Sequence, residues 1–186
     1  MAVAKMTRAT GLTGAAGEYY VAAELSLRGW LATPTIKNAP GTDVLAQYRE
    51  KGILVAIQTK TASLGNQFMV NASIERPSLA NNEWVVLVKL HELHRRPSFF
   101  VVPHDHVAAA SYAQHMRWLA TPGQKGQEHR DTPRRMLIAK QFLDYEDQWD
   151  LLLRPTGEVP NLLGADYAEC ISQWGVPPGH PGMPRR

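Results

Sequence analysis

The stretch GILVAIQTKT, Gly52 to Thr61, carries five apolar residues from Ile53 to Ile57 and then Gln58, Thr59 and Lys60 in succession. Side chains alternate along a strand, so Gln58 and Lys60 share a face, about 6–7 Å apart. An amide and an ammonium thus end an apolar strand, pointing the same way. Upstream, Asp43 follows the turn NAPGT at the start of another strand, and Glu18 lies early on a helical stretch. A hairpin joining the two strands brings Asp43 within reach of Gln58 and Lys60. A carboxylate at a strand start, with its neighbour's backbone carbonyl and another oxygen ligand, can hold Mg²⁺, which takes oxygen ligands and keeps several waters. A lysine beside such a metal can orient or deprotonate an attacking water and stabilise charge building on a phosphate. Gln58 supplies a neutral carbonyl oxygen, a weaker ligand than a carboxylate. Each group also has a plainer role: Glu18 as a solvated helix residue, with Glu24 as its rival, Asp43 as a turn residue, and Gln58 and Lys60 as a strand meeting water. The ordered spacing argues for the chemistry.

Two other groupings compete. HELH sets His91 and His94 three apart, and HDH sets His104 and His106 around Asp105. Zinc favours imidazole, but this is not the H-E-x-x-H spacing. Asp105 reads instead as a first-turn residue matched to a helix dipole. For phosphate contact the best stretch is 121–140, with Lys125, Arg130, Arg134, Arg135 and Lys140 against Glu128 and Asp131. HRRP at 94–97 is a smaller candidate. No element is marked for reading bases.

The elements that must position these groups follow from pattern and punctuation. Residues 14–29 form a helix with Tyr20, Ala23 and Leu27 at helical spacing, Val21 and Leu25 on the adjoining stripe, and Gly29 as its stop. WLATPTI is a strand broken at Pro34. TDVLAQY and GILVAIQTK are strands joined at REKG in a hairpin, and QFMVNASI is a further strand. EWVVLVKL (83–90) and SFFVV (98–102) are two more. HDHVAAASYAQHMRWLA is a helix ended by Thr121, Pro122 and Gly123. Residues 121–135 are a basic loop of a length that is often functional or mobile. LIAKQFLDYEDQWDLLL is a last helix, with Asp144, Glu146, Asp147 and Asp150 on a solvated face and Trp149, Leu152 and Leu153 in the core. The order of elements predicts an α/β or α+β sandwich.

The 186 residues form one domain, 44% hydrophobic and 20% charged, as expected of a globular chain. Its boundaries are a flexible 1–13, a domain over 14–174, and a disordered Pro/Gly-rich tail over 175–186. Cys170 is the single cysteine, which excludes an intrachain disulfide and a cysteine zinc cluster. No apolar run reaches membrane-spanning length, and the N-terminus has no apolar signal core. A cytoplasmic location, no membrane and a possible homodimer are the resulting expectations. The net charge of +3 suits a polyanion partner without demanding one.

GEYYVAAELSLRG followed by GTDVLA and ILVAIQTK resembles the PD-(D/E)XK nuclease superfamily, in its Holliday-junction-resolvase-like and Mrr-type restriction branch. Those proteins open with a glycine and a glutamate on a helix and reach a glycine about three turns later. A D-containing hairpin follows, then an apolar strand ending in E-x-K or, in the Mrr branch, Q-x-K. The resemblance covers residues 14–62. Thr42 stands where the signature proline would be, and Gln58 where most members carry a glutamate. The resemblance implies a restriction-endonuclease-like central mixed β-sheet flanked by helices and a Mg²⁺-dependent endonuclease, with Mn²⁺ as substitute, acting on DNA rather than RNA. It implies Glu18, Asp43, Gln58 and Lys60 as catalytic residues, with Glu18, Asp43, Gln58 and the Thr59 carbonyl as metal ligands. The alternatives are a catalytically silent nucleic-acid-binding or protein-interaction module on the same fold, and a histidine-based zinc hydrolase.

Overall fold

The structure, a computed structural model, describes residues 10–36, 41–63 and 65–180. Helix α1 (Thr10–Leu27) leads into β1 (Leu31–Pro34), β2 (Val44–Tyr48) and β3 (Ile53–Ala62). Then come β4 (Gln67–Asn71), a 3-10 turn (Ala72–Glu75), β5 (Glu83–Lys89), β6 (Ser98–Pro103), α2 (His104–Ala120), β7 (Arg134–Ile138) and α3 (Ala165–Trp174). The five-stranded sheet runs β1-β2-β3-β5-β6. It is mixed: β3 pairs with β5 in parallel and every other neighbour is antiparallel. β4 and β7 form a separate antiparallel ribbon. The expected architecture, a central mixed sheet flanked by helices, is the one observed.

β5 is the buried centre. Trp84 to Val88 are all inaccessible, as a continuous apolar run requires when both faces are covered. The register sets Lys60, Leu87 and Phe100 in one row across β3, β5 and β6. Phe68 of β4 meets Phe100 edge-on at 6.4 Å, so the ribbon covers that face. On the opposite face Phe99 packs against Trp149 at 5.5 Å, and α1 lies there too.

Three sequence expectations are corrected. The buried stripe of α1 is Val21, Ala22 and Leu25, whereas Tyr20, Ala23 and Leu27 are exposed. Both stripes are apolar, so spacing alone could not choose between them. Residues 137–153 are not a helix: Arg134–Ile138 is a strand, followed by 3-10 turns over Ala139–Tyr145 and Trp149–Leu153. The ribbon pairing with β4 overrides helical propensity there, and it shortens the basic loop to 121–133. The last helix is Ala165–Trp174. Asp144, Glu146, Asp147 and Asp150 are solvent-exposed but lie on turns, and Trp149 and Leu152 are core as expected. Gly29 ends α1 with φ 82°, and the Trp30 amide donates to the Leu25 carbonyl at 3.1 Å, closing the helix as a left-handed glycine does.

The ends also differ from expectation. Helix α1 already includes residues 10–13, and residues 1–9 lie outside the described residues. Of the tail, 175–180 pack against the domain: the His180 ring bonds the Glu75 carbonyl at 2.8 Å and lies 3.4 Å from Asp105. Residues 181–186 lie outside the described residues.

Gly17 sets how closely α1 approaches the sheet. A Cβ there would fall inside the contact distance of Thr61 Oγ1, with Thr61 Cβ only 3.1 Å away. Gly17→Ala should therefore destabilise the fold by about 1–3 kcal/mol through overpacking, measured by urea unfolding. Removing the obstructing hydroxyl in Gly17→Ala/Thr61→Ala should recover most of the loss.

Candidate active site

β3 runs ten residues while β2 has five, and their pairing ends at Val44 opposite Ile57. Residues 58–62 of β3 therefore continue past β2, paired with β5 on one side only. Asp43 occupies the corner this creates. Its backbone amide donates to the Ile57 carbonyl at 2.8 Å, and its Oδ2 accepts the Thr59 amide at 2.7 Å. The carboxylate thus replaces the missing strand, because a buried backbone donor left unpaired is costly. Upstream, Thr35 ties the approach to Asp43: its amide donates to the Asp43 carbonyl at 2.9 Å and its hydroxyl to the Thr42 carbonyl at 2.7 Å.

The N–H and C=O of a strand residue lie on the same edge, so the Thr59 carbonyl is directed along the edge that faces Asp43. Gln58 and Lys60 alternate with Thr59 and share the other orientation, both partly buried. The Lys60 ammonium is held below the usual lysine pKa by burial, and the nearby Asp43 and Glu18 carboxylates oppose that effect. Those couplings place both acids in the electrostatic range of one ammonium. Asp43 is bonded to Thr59, Lys60 feels the charges of Asp43 and Glu18, and Gln58 shares the Lys60 face.

The rival acid has other work. Glu24 binds Arg28 at 2.6 Å and Arg96 at 2.9 Å, and Arg96, followed by Arg28, keeps its carboxyl below the usual range. Arg96 also bonds Asp147 at 2.8 Å and lies over Phe99. This ties α1 to the 94–97 loop and the turn at Asp147, and leaves Glu18 as the helix acid beside Lys60. The commitment of Arg96 also removes it from the pool of loop cations in HRRP.

The oxygen set of Asp43, Glu18, Gln58 and the Thr59 carbonyl suits a hard divalent cation, which takes carboxylate, amide and backbone oxygens together. Among the described residues, no three His, Cys, Asp or Glu side chains form a metal-holding group, so any such site here rests on two acids supplemented by neutral oxygens. His106 and His91 are occupied, whereas the buried His104 Nδ1 has no hydrogen-bond partner among the described residues. His106 Nδ1 pairs with the Tyr145 hydroxyl at 2.7 Å, and that oxygen accepts the Leu162 amide at 2.9 Å. Burial holds His106 down to about 4. His91 bonds Ser98 at 3.1 Å, and His104 opens α2 beside Asp105, as expected of first-turn residues. The zinc alternative has no site among the described residues.

The basic stretch divides. Lys125, Arg130 and Arg134 are exposed. Arg135 is not: it is buried on the inward face of β7, bonded to Glu75 at 2.6 Å and to the Thr132 carbonyl. Its expected phosphate role is corrected to a structural one, because strand alternation turns it away from Arg134. Lys140 is exposed and pairs with Asp166 at 3.3 Å, a contact that water screens. The loop itself is pinned to α2, with His129 stacked on Trp118 at 4.0 Å and His115 bonded to Asp131 at 2.7 Å. Sequence reasoning missed Glu75 as the partner that withdraws Arg135; a partner 60 residues distant leaves no local signal.

An open apolar groove of about 400 Å³ lies at the other end of β3, lined by Ile53, Leu54, Asn82, Trp84, Leu152 and Pro155 among others, and it shares no residue with this cluster. Among the described residues, no helix is long and apolar enough to cross a membrane.

No protein-family model matches the chain, and neither does any curated protein. The solved structures similar to it include the following two. One is Hjc, a Holliday junction resolvase from the archaeal hyperthermophile Archaeoglobus fulgidus, at 13% identity and TM-score 0.47, covering 76% of this chain and 96% of that one. The other is the bacterial homing endonuclease I-Ssp6803I, at 17% identity and TM-score 0.45, covering 78% and 91%.

Two predictions come from this geometry. In Asp43→Asn one of the charges raising the Lys60 pKa is gone, so that pKa should fall further below the ordinary value; an NMR titration of the lysine side chains reads it directly, and an unchanged value would remove Asp43 from the neighbourhood. The arginines should separate as well. Arg135→Ala leaves the partly buried Glu75 with the Ser111 hydroxyl but no cation and should cost about 3 kcal/mol of stability, whereas Arg134→Ala should leave the unfolding midpoint in place.

Proposed function

We propose that this chain is a metal-dependent nuclease that hydrolyses phosphodiester bonds in DNA. The observation that carries the reading is the corner at the end of β2, where Asp43 is fixed on the Thr59 amide and a partly buried Lys60 ammonium faces two carboxylates. Ammonium and carboxylates close together in a low-dielectric setting fit a site built for charge that develops during reaction. Asp43, Glu18, Gln58 and the Thr59 carbonyl would hold Mg²⁺, with Mn²⁺ as substitute. When bound, that ion would supply Lewis-acid polarisation of the phosphate and a more acidic water.

The chain's own residues would do the rest. Asp43 is already oriented by a backbone amide, so its carboxylate needs no rearrangement to act. Lys60, whose burial makes its ammonium easier to deprotonate, would position the attacking water and offset charge building on the phosphate oxygens. Gln58 would align through its amide oxygen while adding no charge. Lys125, Arg130 and Arg134 are the exposed cations available to hold the DNA backbone, which would make recognition a matter of shape and phosphate rather than base sequence.

One observation favours a second reading. With Gln58 in place of an acid, and no three-acid group among the described residues, the corner carries less negative charge than a strong metal site. A silent DNA-binding module on this fold would have that composition.

Cleavage of supercoiled, linear, branched and single-stranded DNA with Mg²⁺ or Mn²⁺ tests the proposal. Asp43→Asn and Lys60→Ala should each lower the rate about 10²–10³-fold with the fold intact, as loss of one stabilising group does. Gln58→Glu should tighten metal dependence and at least preserve the rate. If wild type and Gln58→Glu are inert on every DNA and RNA form with both metals, the enzyme reading fails and the binding module replaces it.

A further inference from the structure

The stripe of α1 that turns away from the sheet is apolar along its length. Leu12 is 71% exposed, Tyr19 67%, Tyr20 45% and Leu27 82%; Ala23 is exposed and Ala16 partly so. At 100° per residue these six positions fall within about 100° of one another around the helix. No charged residue interrupts them. Isolated exposed leucines are ordinary, but a continuous apolar stripe marks an interaction surface.

The order of residues in the stripe identifies the partner. Read from either end it runs Leu, Ala, Tyr, Tyr, Ala, Leu: Leu12, Ala16, Tyr19, Tyr20, Ala23, Leu27. Placed antiparallel against itself about a two-fold axis between Tyr19 and Tyr20, Leu12 meets Leu27, Ala16 meets Ala23 and Tyr19 meets Tyr20. An interface between two copies related by a two-fold axis requires this, since residue i must fit residue j while j fits i. The alanines would let the helix backbones approach at two levels, with leucines closing the ends and tyrosines filling the centre.

We propose that a second copy of this chain docks on this stripe, forming a two-fold dimer through antiparallel α1 helices. The contact runs along about 24 Å of helix. The stripe is centred about 110° around α1 from Gly17, which faces Thr61, so pairing through it does not use the side of α1 that approaches the sheet. The proposal is independent of the nuclease reading.

Analytical ultracentrifugation over a concentration series tests it on the full chain. Wild type should show a monomer–dimer equilibrium, and Leu27→Lys should weaken it by about tenfold or more, because it sets a charge into the apolar contact with Leu12 of the second copy. The double variant Leu12→Glu/Leu27→Lys should dimerise again and become salt-sensitive, because position 12 of one copy meets position 27 of the other. Cysteine cross-linking reads the register separately. Ala16→Cys mixed with Ala23→Cys should form a disulfide that neither variant forms alone, and the native Cys170 is buried. A wild type that stays monomeric throughout, a dimer indifferent to Leu27→Lys, or equal cross-linking in the unmixed variants would overturn the proposal.

Discussion

The hydrogen bond from the Thr59 amide to the Asp43 carboxylate, 2.7 Å long, holds the site together. β3 outlasts β2, and where the partner strand stops a buried amide would otherwise lack an acceptor. Asp43 satisfies it with a side chain rather than a backbone carbonyl. That one substitution ends β2, fixes the acid at the corner of the sheet, and sets it beside the residues that β3 carries beyond the pairing. Parallel pairing with β5 keeps the overhang straight, since Gln58 to Ala62 have a continuous ladder on that side.

Around that corner the charges are sorted into two groups. Glu24, Arg28, Arg96 and Asp147 form a linked set that ties α1 to the loops at 94–97 and 147, and its members are neutralised by one another. Glu75 and Arg135 do the same between the 3-10 turn and β7. What remains near β3 is Lys60, which burial makes a weaker base, with Asp43 and Glu18 opposing the shift. Groups whose protonation is held in tension this way cluster at sites that do chemistry. The separation matters because it leaves Lys60 as the cation facing these two acids.

Helix α1 serves both sides of the molecule. Its sheet side is nearly flush with β3 because Gly17 has no side chain to meet Thr61, and from this helix the Glu18 charge is felt by Lys60. Its outer side carries a second apolar stripe that the domain does not use. A helix apolar around most of its circumference is expected to be buried on more than one side, and among the described residues this one is covered on one side only.

The local elements that carry the candidate site were determined by sequence. The Gln58, Thr59 and Lys60 run, the turn before Asp43, the Gly29 stop and the hairpin all follow from alternation, turn residues and left-handed glycine, which are properties of neighbours in the chain. Tertiary structure decided the rest. Spacing along α1 gave two apolar stripes and no means of ranking them; the sheet selected Val21 and Leu25. Residues 137–153 carry a helical pattern, yet pairing of β4 with β7 drew their start into a strand, because ladder hydrogen bonds to a distant segment outweighed local propensity. Arg134 and Arg135 are equivalent as text, and only the inward turn of a strand toward Glu75 makes one structural and leaves the other free for solvent. Glu18 and Glu24 likewise differ by which arginines lie near in space. Contacts between residues far apart in the chain leave no periodicity to read, so the fold alone could assign these roles.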